Sequence, residues 1–186
     1  MLLNATLQLI CSTFFCKFAL AMRISHRQPI TPEAAFNKAA ALCSRCEYAA
    51  SDIHTRLLKW GLAPQQAPAV LQRLTNEGFL NEQRFARVFV NDKFKFNGWG
   101  RIKIAYQLRA KGIAQDCIDE ALTLIDDDTY EQTLLQLLTT KASTLRGKDP
   151  QQARAALLRF ATGRGFEPAL CYRITATLIN AGNDFD

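Results

Sequence analysis

Apolar residues recur along most of the chain three and four positions apart, the spacing that stacks them on one face of an α-helix. Strand-like alternation is scarce. Three stretches share one pattern: apolar residues four apart, a glycine, an apolar residue, then a second helical run. With Gly61 set against Gly112, an offset of 51, Ile53 falls on Ile104, Leu57 on Leu108, Leu62 on Ile113, Leu71 on Leu122 and Leu74 on Ile125. With Gly112 set against Gly165, an offset of 53, Ile104 meets Leu157, Leu108 meets Ala161, Ile113 meets Phe166, Ala121 meets Ile174 and Ile125 meets Leu178. A glycine there suits the left-handed residue that ends a helix, and the apolar residue after it folds back on the last turn. Each glycine is therefore expected to close a helix.

A further helix precedes each pair, over roughly 33–45, 82–96 and 129–145. Thr31, Pro32 and Glu33 carry a helix-start signal, which Asp149 and Pro150 repeat. Pro64 and Pro168 stand three residues after Gly61 and Gly165, where a third helix begins in each of those units. The expected fold is all-α: three tandem three-helix repeats, over 31–78, 79–126 and 127–182, forming an elongated, curved chain. Each unit is too small to bury its own apolar face. Ile53, Leu57, Ile104, Leu108, Leu122 and Ile125 are expected in the core. In helix 82–96, Arg84, Arg87, Asn91 and Lys95 share one side, and Phe85, Val88, Phe89 and Phe96 the neighbouring side. In helix 101–111, Lys103, Gln107 and Lys111 form a polar row beside Ile104 and Leu108.

Charge changes this picture by its location. The 186-residue chain carries a net charge of +6 with 22% charged residues. Residues 81–113 hold eight cations (Arg84, Arg87, Lys93, Lys95, Arg101, Lys103, Arg109, Lys111) against Glu82 and Asp92, so the whole excess sits in the middle unit. Such a local field attracts phosphates or carboxylate-rich surfaces. Within this segment Gly98-Trp99-Gly100 links the two basic helices. It reads as a hinge that presents both stripes together, with Trp99 either packing under the turn or meeting a partner.

Candidate chemistry is sparse. Cys43 and Cys46 form a C-x-x-C without a second pair or a histidine at ligand spacing, in a stretch that reads as a helix end, so no metal is expected. Cys117 and Cys171 lie in helical patterns as small apolar residues. Asp126-Asp127-Asp128 reads as a linker or as helix N-terminal charge. No phosphate-binding glycine loop, spaced carboxylate pair or histidine–nucleophile pair is present, so neither an enzyme nor a cofactor is expected. Residues 1–22 are apolar with one charge, Lys17. No cation precedes the apolar run, against a signal peptide, and Lys17 interrupts it before a membrane span's length. The favoured reading is an extension ahead of a true start at Met22, giving a cytoplasmic protein with no membrane partner; an exported or anchored chain stays open.

"LTNEGFLNEQRFARVFV" (74–90) followed by "GWGRIKIAYQLRAKGI" (98–113) resembles the RecX family, small bacterial regulators of the RecA recombinase. "CSRCEYAASDIHTRLLKWGL" (43–62) is similar to the family's first unit. The resemblance covers residues 33–125 well, the third unit by repeat logic, and residues 1–22 not at all. Ala49 departs from a usual serine cap, so that Ser51 takes over or that helix starts less firmly, and Pro68 falls inside the expected third helix, where it shortens that helix or shifts its start. The resemblance implies a monomer that binds the RecA–DNA filament and restrains it in DNA repair, recombination and the SOS response. The alternative is a direct DNA-binding module of helix-turn-helix-like units. In either case the candidate contacts are Arg84, Arg87, Lys95, Trp99, Arg101, Lys103, Arg109 and Lys111, with RecA and DNA phosphates as the expected partners.

Overall fold

Helix starts follow the signals in the chain. The computed structural model describes residues 30–147 and 149–180; the reading of Met22 as the true start lies outside them. Thr31 accepts a hydrogen bond from the Ala34 N–H and opens α1 (Pro32–Cys43). Helix α2 (Ala50–Lys59) begins at Ala49 without a side-chain cap. Ser51 does not take over; its hydroxyl donates to the Lys111 carbonyl, 2.7 Å away. Pro68 does shift a helix: a 3₁₀ turn fills Pro64–Gln66, and α3 runs from Ala67 to Asn76. Asn81 caps α4 (Glu82–Lys95), Gly100 precedes α5 (Arg101–Ala110), and α6 spans Gln115–Leu122. Asp126 accepts from the Thr129 N–H at the start of α7 (Asp127–Ser143), which makes the acidic triplet a helix cap. Asp149 caps α8 (Pro150–Gly163), and α9 is Pro168–Asn180.

The described residues thus form nine α-helices and no strand, in three successive triplets. Each second helix ends the same way. Gly61, Gly112 and Gly165 have φ of 90°, 81° and 86°. The N–H of the next residue reaches back to the last turn: Leu62 to Leu57, Ile113 to Leu108 and Phe166 to Ala161, at 3.1, 3.2 and 3.3 Å. This is the Schellman closure, and the apolar residue following each glycine is buried.

Helix–helix packing is densest within each triplet. The first has its own core, from Phe36, Ile53, Leu57, Val70 and Leu74 among others. The second and third share one core, which also takes in Ala49 of the first and in which Phe94, Tyr130 and Phe166 form a ring series with centroids 5.8 and 4.9 Å apart. Ile53, Leu57, Ile104, Leu108 and Ile125 are buried as expected, while Leu122, the last residue of α6, is only half-buried.

The expected apolar side of α4 is corrected. Its buried residues are Phe85, Ala86, Val90 and Phe94. At 100° per residue Val88 falls opposite their mean direction, and it is 45% exposed. Phe96 lies past the helix's last residue and is 82% exposed. No described helix is long and apolar enough to cross a membrane.

Candidate partner-binding site

The Gly98-Trp99-Gly100 segment is a packed joint between the second and third units. Gly98, at φ 60°, turns the chain out of α4, and its N–H donates to the Phe94 carbonyl at 3.0 Å. Gly100 then lies against the turn that ends α8. Its N–H donates to the Arg164 carbonyl at 2.8 Å, and the Ile102 N–H donates to the Gly165 carbonyl at 3.1 Å. A β-carbon on Gly100 would overlap the Gly165 carbonyl and the Phe166 nitrogen, and one on Gly165 would overlap Lys103. Only glycine permits this approach. Trp99 is half-buried against the shared core, with the Lys103 and Lys93 ammonium groups 4.6 and 5.5 Å from its ring centroid.

Tyr130 secures the joint from below. Its hydroxyl accepts from the Arg101 N–H at 2.9 Å and donates to Glu167 at 2.8 Å. Burial pushes the phenol well above its usual range; the Arg101 N–H works against that shift and Glu167 adds to it. Tyr130 therefore stays protonated and able to donate.

The eight candidate residues divide into three sets. Four cations are already ion-paired. Arg84 meets Glu47 at 2.7 Å, Arg87 meets Glu120, Arg101 meets Asp127 at 2.7 Å, and Lys111 meets Asp52 at 2.7 Å. Arg101 also donates to the Ile125 carbonyl and covers the Tyr130 ring. The Arg101 and Lys111 side chains are each only 27% exposed. These are ties within and between units. Arg109 donates to Gln115. Lys95, Trp99 and Lys103 remain, all at the joint, and neither lysine has a carboxylate partner among the described residues; the Lys103 ammonium donates to the Gly163 carbonyl at 3.3 Å.

An open groove of about 620 Å³ runs beside the joint, between the end of α4 and helices α7 and α8. Lys95, Phe96 and Gly98 border it on one side, and Leu137, Lys141 and Phe160 on the other. Arg164 also lines it, donating to the Asn97 carbonyl at 2.7 Å and lying 4.8 Å from the Phe160 centroid. Lys141 stands 6.0 Å from the same centroid. No described lining residue is acidic. The groove thus offers aromatic surface and positive charge without internal neutralisation, which suits an anionic partner.

Phe96, Lys141, Phe160 and Arg164 were not among the sequence-derived candidates. Net charge conceals Lys141 and Arg164, because cations and carboxylates balance outside residues 81–113. The pair Phe160 and Arg164 was nonetheless visible: with the two repeat offsets combined it falls on Arg56 and Trp60, another cation and aromatic one helical turn apart.

Comparison with known proteins agrees with this architecture. Residues 81–122 match the family model described as RecX, second three-helix domain. A protein of Halorhodospira halophila named Regulatory protein RecX is 33% identical over 136 residues, covering 72% of this chain and 81% of the relative. A protein of the same name from Chromohalobacter salexigens is 32% identical over 140 residues, covering 75% and 88%. Among solved structures, that of RecX from Lactobacillus salivarius has a TM-score of 0.69 at 16% identity, covering 80% of this chain and 97% of the other. A second crystal structure, of a regulatory protein RecX, also has a TM-score of 0.69, at 19% identity, covering 78% and 73%. These structures share the fold.

Proposed function

Since the chain belongs to the RecX family of regulatory proteins, we propose that it binds RecA filaments through the seam between its second and third units and restrains their recombinase and ATPase activity. The observation that carries this reading is the collection of Lys95, Lys103, Lys141 and Arg164 around one joint, with no carboxylate partner among the described residues for any of them. In this reading the chain works as a monomer in the cytoplasm, as three units over 31–78, 79–126 and 127–182. Its part in DNA repair is to limit filament activity. Charge at the seam supplies encounter rate and orientation more than total affinity. DNA phosphates inside the filament add contacts for Lys103, which does not line the groove. Of the eight candidates, Lys95, Trp99 and Lys103 touch the partner, while Arg84, Arg87, Arg101 and Lys111 hold the surface in shape.

That division selects the test. Reversing Arg101 or Lys111 would confound binding with loss of inter-unit ties, so the variant is Lys95→Glu with Lys141→Glu. We expect filament association at least tenfold slower, weaker suppression of RecA ATPase and strand exchange, and little change in melting, because Lys95 is exposed, Lys141 is only half-buried and neither has a carboxylate partner among the described residues. Arg154→Glu with Arg159→Glu, on exposed positions of α8, is the control and should change less. Inhibition equal to wild type by the seam variant would remove the seam from the mechanism. Tight, steeply salt-dependent binding to naked DNA without RecA would favour the DNA-module reading.

A further inference from the structure

The seam groove also carries information about the chemistry of its occupant. Phe96 is the most exposed large hydrophobic residue among those described. Its backbone is nonetheless fixed: its N–H donates to the Asp92 carbonyl at 3.0 Å and closes α4. A rigid backbone therefore holds an aromatic ring out into water at the lip of the groove. Inside the lip the lining is apolar at Phe94, Leu137 and Phe160 and cationic at Lys95, Lys141 and Arg164. Arg164 is oriented before any partner arrives, anchored by the Asn97 carbonyl and laid over Phe160.

Resting on the reading of the seam as the contact site, we infer that this groove takes an acidic segment of a protein, with one apolar side chain packed against Phe96 and flanking carboxylates meeting Lys95, Lys141 and Arg164. Protein hot spots draw on the same chemistry: an aromatic contact that is desolvated on binding, with charge setting register. A single nucleic-acid strand asks for something else, namely a cationic track along its backbone and free ring faces on which successive bases stack. Here cations lie over the neighbouring rings. Arg164 and Lys141 stand over Phe160, and Lys103 and Lys93 over Trp99. Phe96 is left as a single projecting ring, which suits one anchor better than a row of bases.

The test uses the full chain and three fluorescein-labelled probes read by anisotropy: an eight-residue peptide alternating Glu and Leu, the same peptide with Ser for Leu, and an oligothymidylate of equal charge. The Glu/Leu peptide should bind at least tenfold more tightly than the Glu/Ser peptide. Phe96→Ala and Lys141→Glu should each weaken it at least fivefold, and Phe96→Trp should retain it. Oligothymidylate binding should be indifferent to Phe96→Ala. If Phe96→Ala and Lys141→Glu weaken the oligonucleotide as much as the peptide, the groove is a strand site and the inference falls. It also falls if the peptide ignores both substitutions. RecA filament binding measured alongside separates the two claims. Wild-type protein that binds the peptide through Phe96 but no filament overturns the proposed function and leaves the groove's chemistry standing. Filament binding untouched by Phe96→Ala overturns the inference and leaves the regulator.

Discussion

The first and second units meet through side chains, whereas the second and third also meet backbone to backbone. At the first junction Lys111 pairs with Asp52, the Ser51 hydroxyl donates to the Lys111 carbonyl, and Arg84 pairs with Glu47. At the second, two N–H groups beginning α5 donate directly to carbonyls of the turn ending α8, and one core runs across both units. The construction is otherwise the same. In each case the glycine turn of the later unit sits on the first turn of the second helix of the earlier one. The residue before that helix differs: Ala49 in the first unit, Gly100 in the second. The Ala49 methyl is buried with core residues of the later units, whereas the missing β-carbon of Gly100 lets two backbones touch. One repeat topology therefore yields two kinds of joint, and the residue before the second helix, Ala49 in one and Gly100 in the other, differs between them.

If the cores are separate as well as the joints, core deletions should act locally on one side only. Leu57 and Leu108 are both fully buried. Each cut to alanine should cost about 2–5 kcal/mol. Hydrogen exchange should show Leu57→Ala loosening α1–α3 while α4–α9 keep their protection, and Leu108→Ala loosening the second and third units together. Loss of protection throughout in Leu57→Ala would mean that the polar joint couples the units as strongly as the shared core does.

The glycines give the next largest contrast. Gly100→Ala places a methyl group into the Gly165 backbone at a position whose own φ is an ordinary −78°. Gly112→Ala places it in open space, with φ at 81°. The first should cost about 3 kcal/mol through overpacking, the second about 1 kcal/mol through left-handed backbone strain. Melting curves for the two variants check this. Equal shifts would show that the second joint is no tighter than the first.

These two glycines mark how far the sequence could be read. Gly112 was legible because its role is local: it ends a helix whose apolar spacing stops there, and Gly61 and Gly165 repeat it. Caps at Thr31 and Asp149, and the shift caused by Pro68, were legible for the same reason. Gly100 was not, because what excludes its β-carbon is backbone 65 residues further on. The division of the cations was hidden similarly, since the Asp52–Lys111 tie spans 59 residues. Phe96 sits in phase with Phe85 and Phe89 only for a helix that continues past Lys95, and Gly98 turns the chain away.

A smaller effect probes the second joint from its polar side. Tyr130→Phe keeps the ring series and removes the hydroxyl shared by the Arg101 N–H and Glu167. Leaving those part-buried groups without their partner should cost about 1–2 kcal/mol. Melting should fall accordingly, with no change in unit-one exchange. Acid acts on the same unit. Hydrogen bonds from Thr129 hold the Asp126 carboxyl below its ordinary range, and Arg173 does the same for Glu131. Folded pKa values below the unfolded ones mean that this stabilisation is complete above the ordinary carboxylate range and is lost as pH falls through the folded values. Asp126→Asn and Glu131→Gln should each flatten the acid side of the stability curve, and an unchanged curve would remove these contacts from it.

The smallest expected effect belongs to the first joint. The Asp52 and Lys111 side chains are 38% and 27% exposed, so solvent screens their pair and its net contribution is about 0–1 kcal/mol. Asp52→Asn should therefore move the melting temperature little at low salt and not at all near 1 M, where screening acts over about 3 Å. Its larger consequence should be geometric. Spin labels at the exposed positions Asn37 and Gln83, one on each side of the joint, should show a broader distance distribution in Asp52→Asn, and wild-type protein should approach the same breadth as salt rises. Labels at Asn91 and Gln132, across the second joint, should report one narrow distance under every condition, because backbone hydrogen bonds and a common core do not weaken with ionic strength as a partly exposed ion pair does. Broadening at both pairs would make the whole array pliable, and the contrast between a polar joint and a fused one would no longer describe this chain.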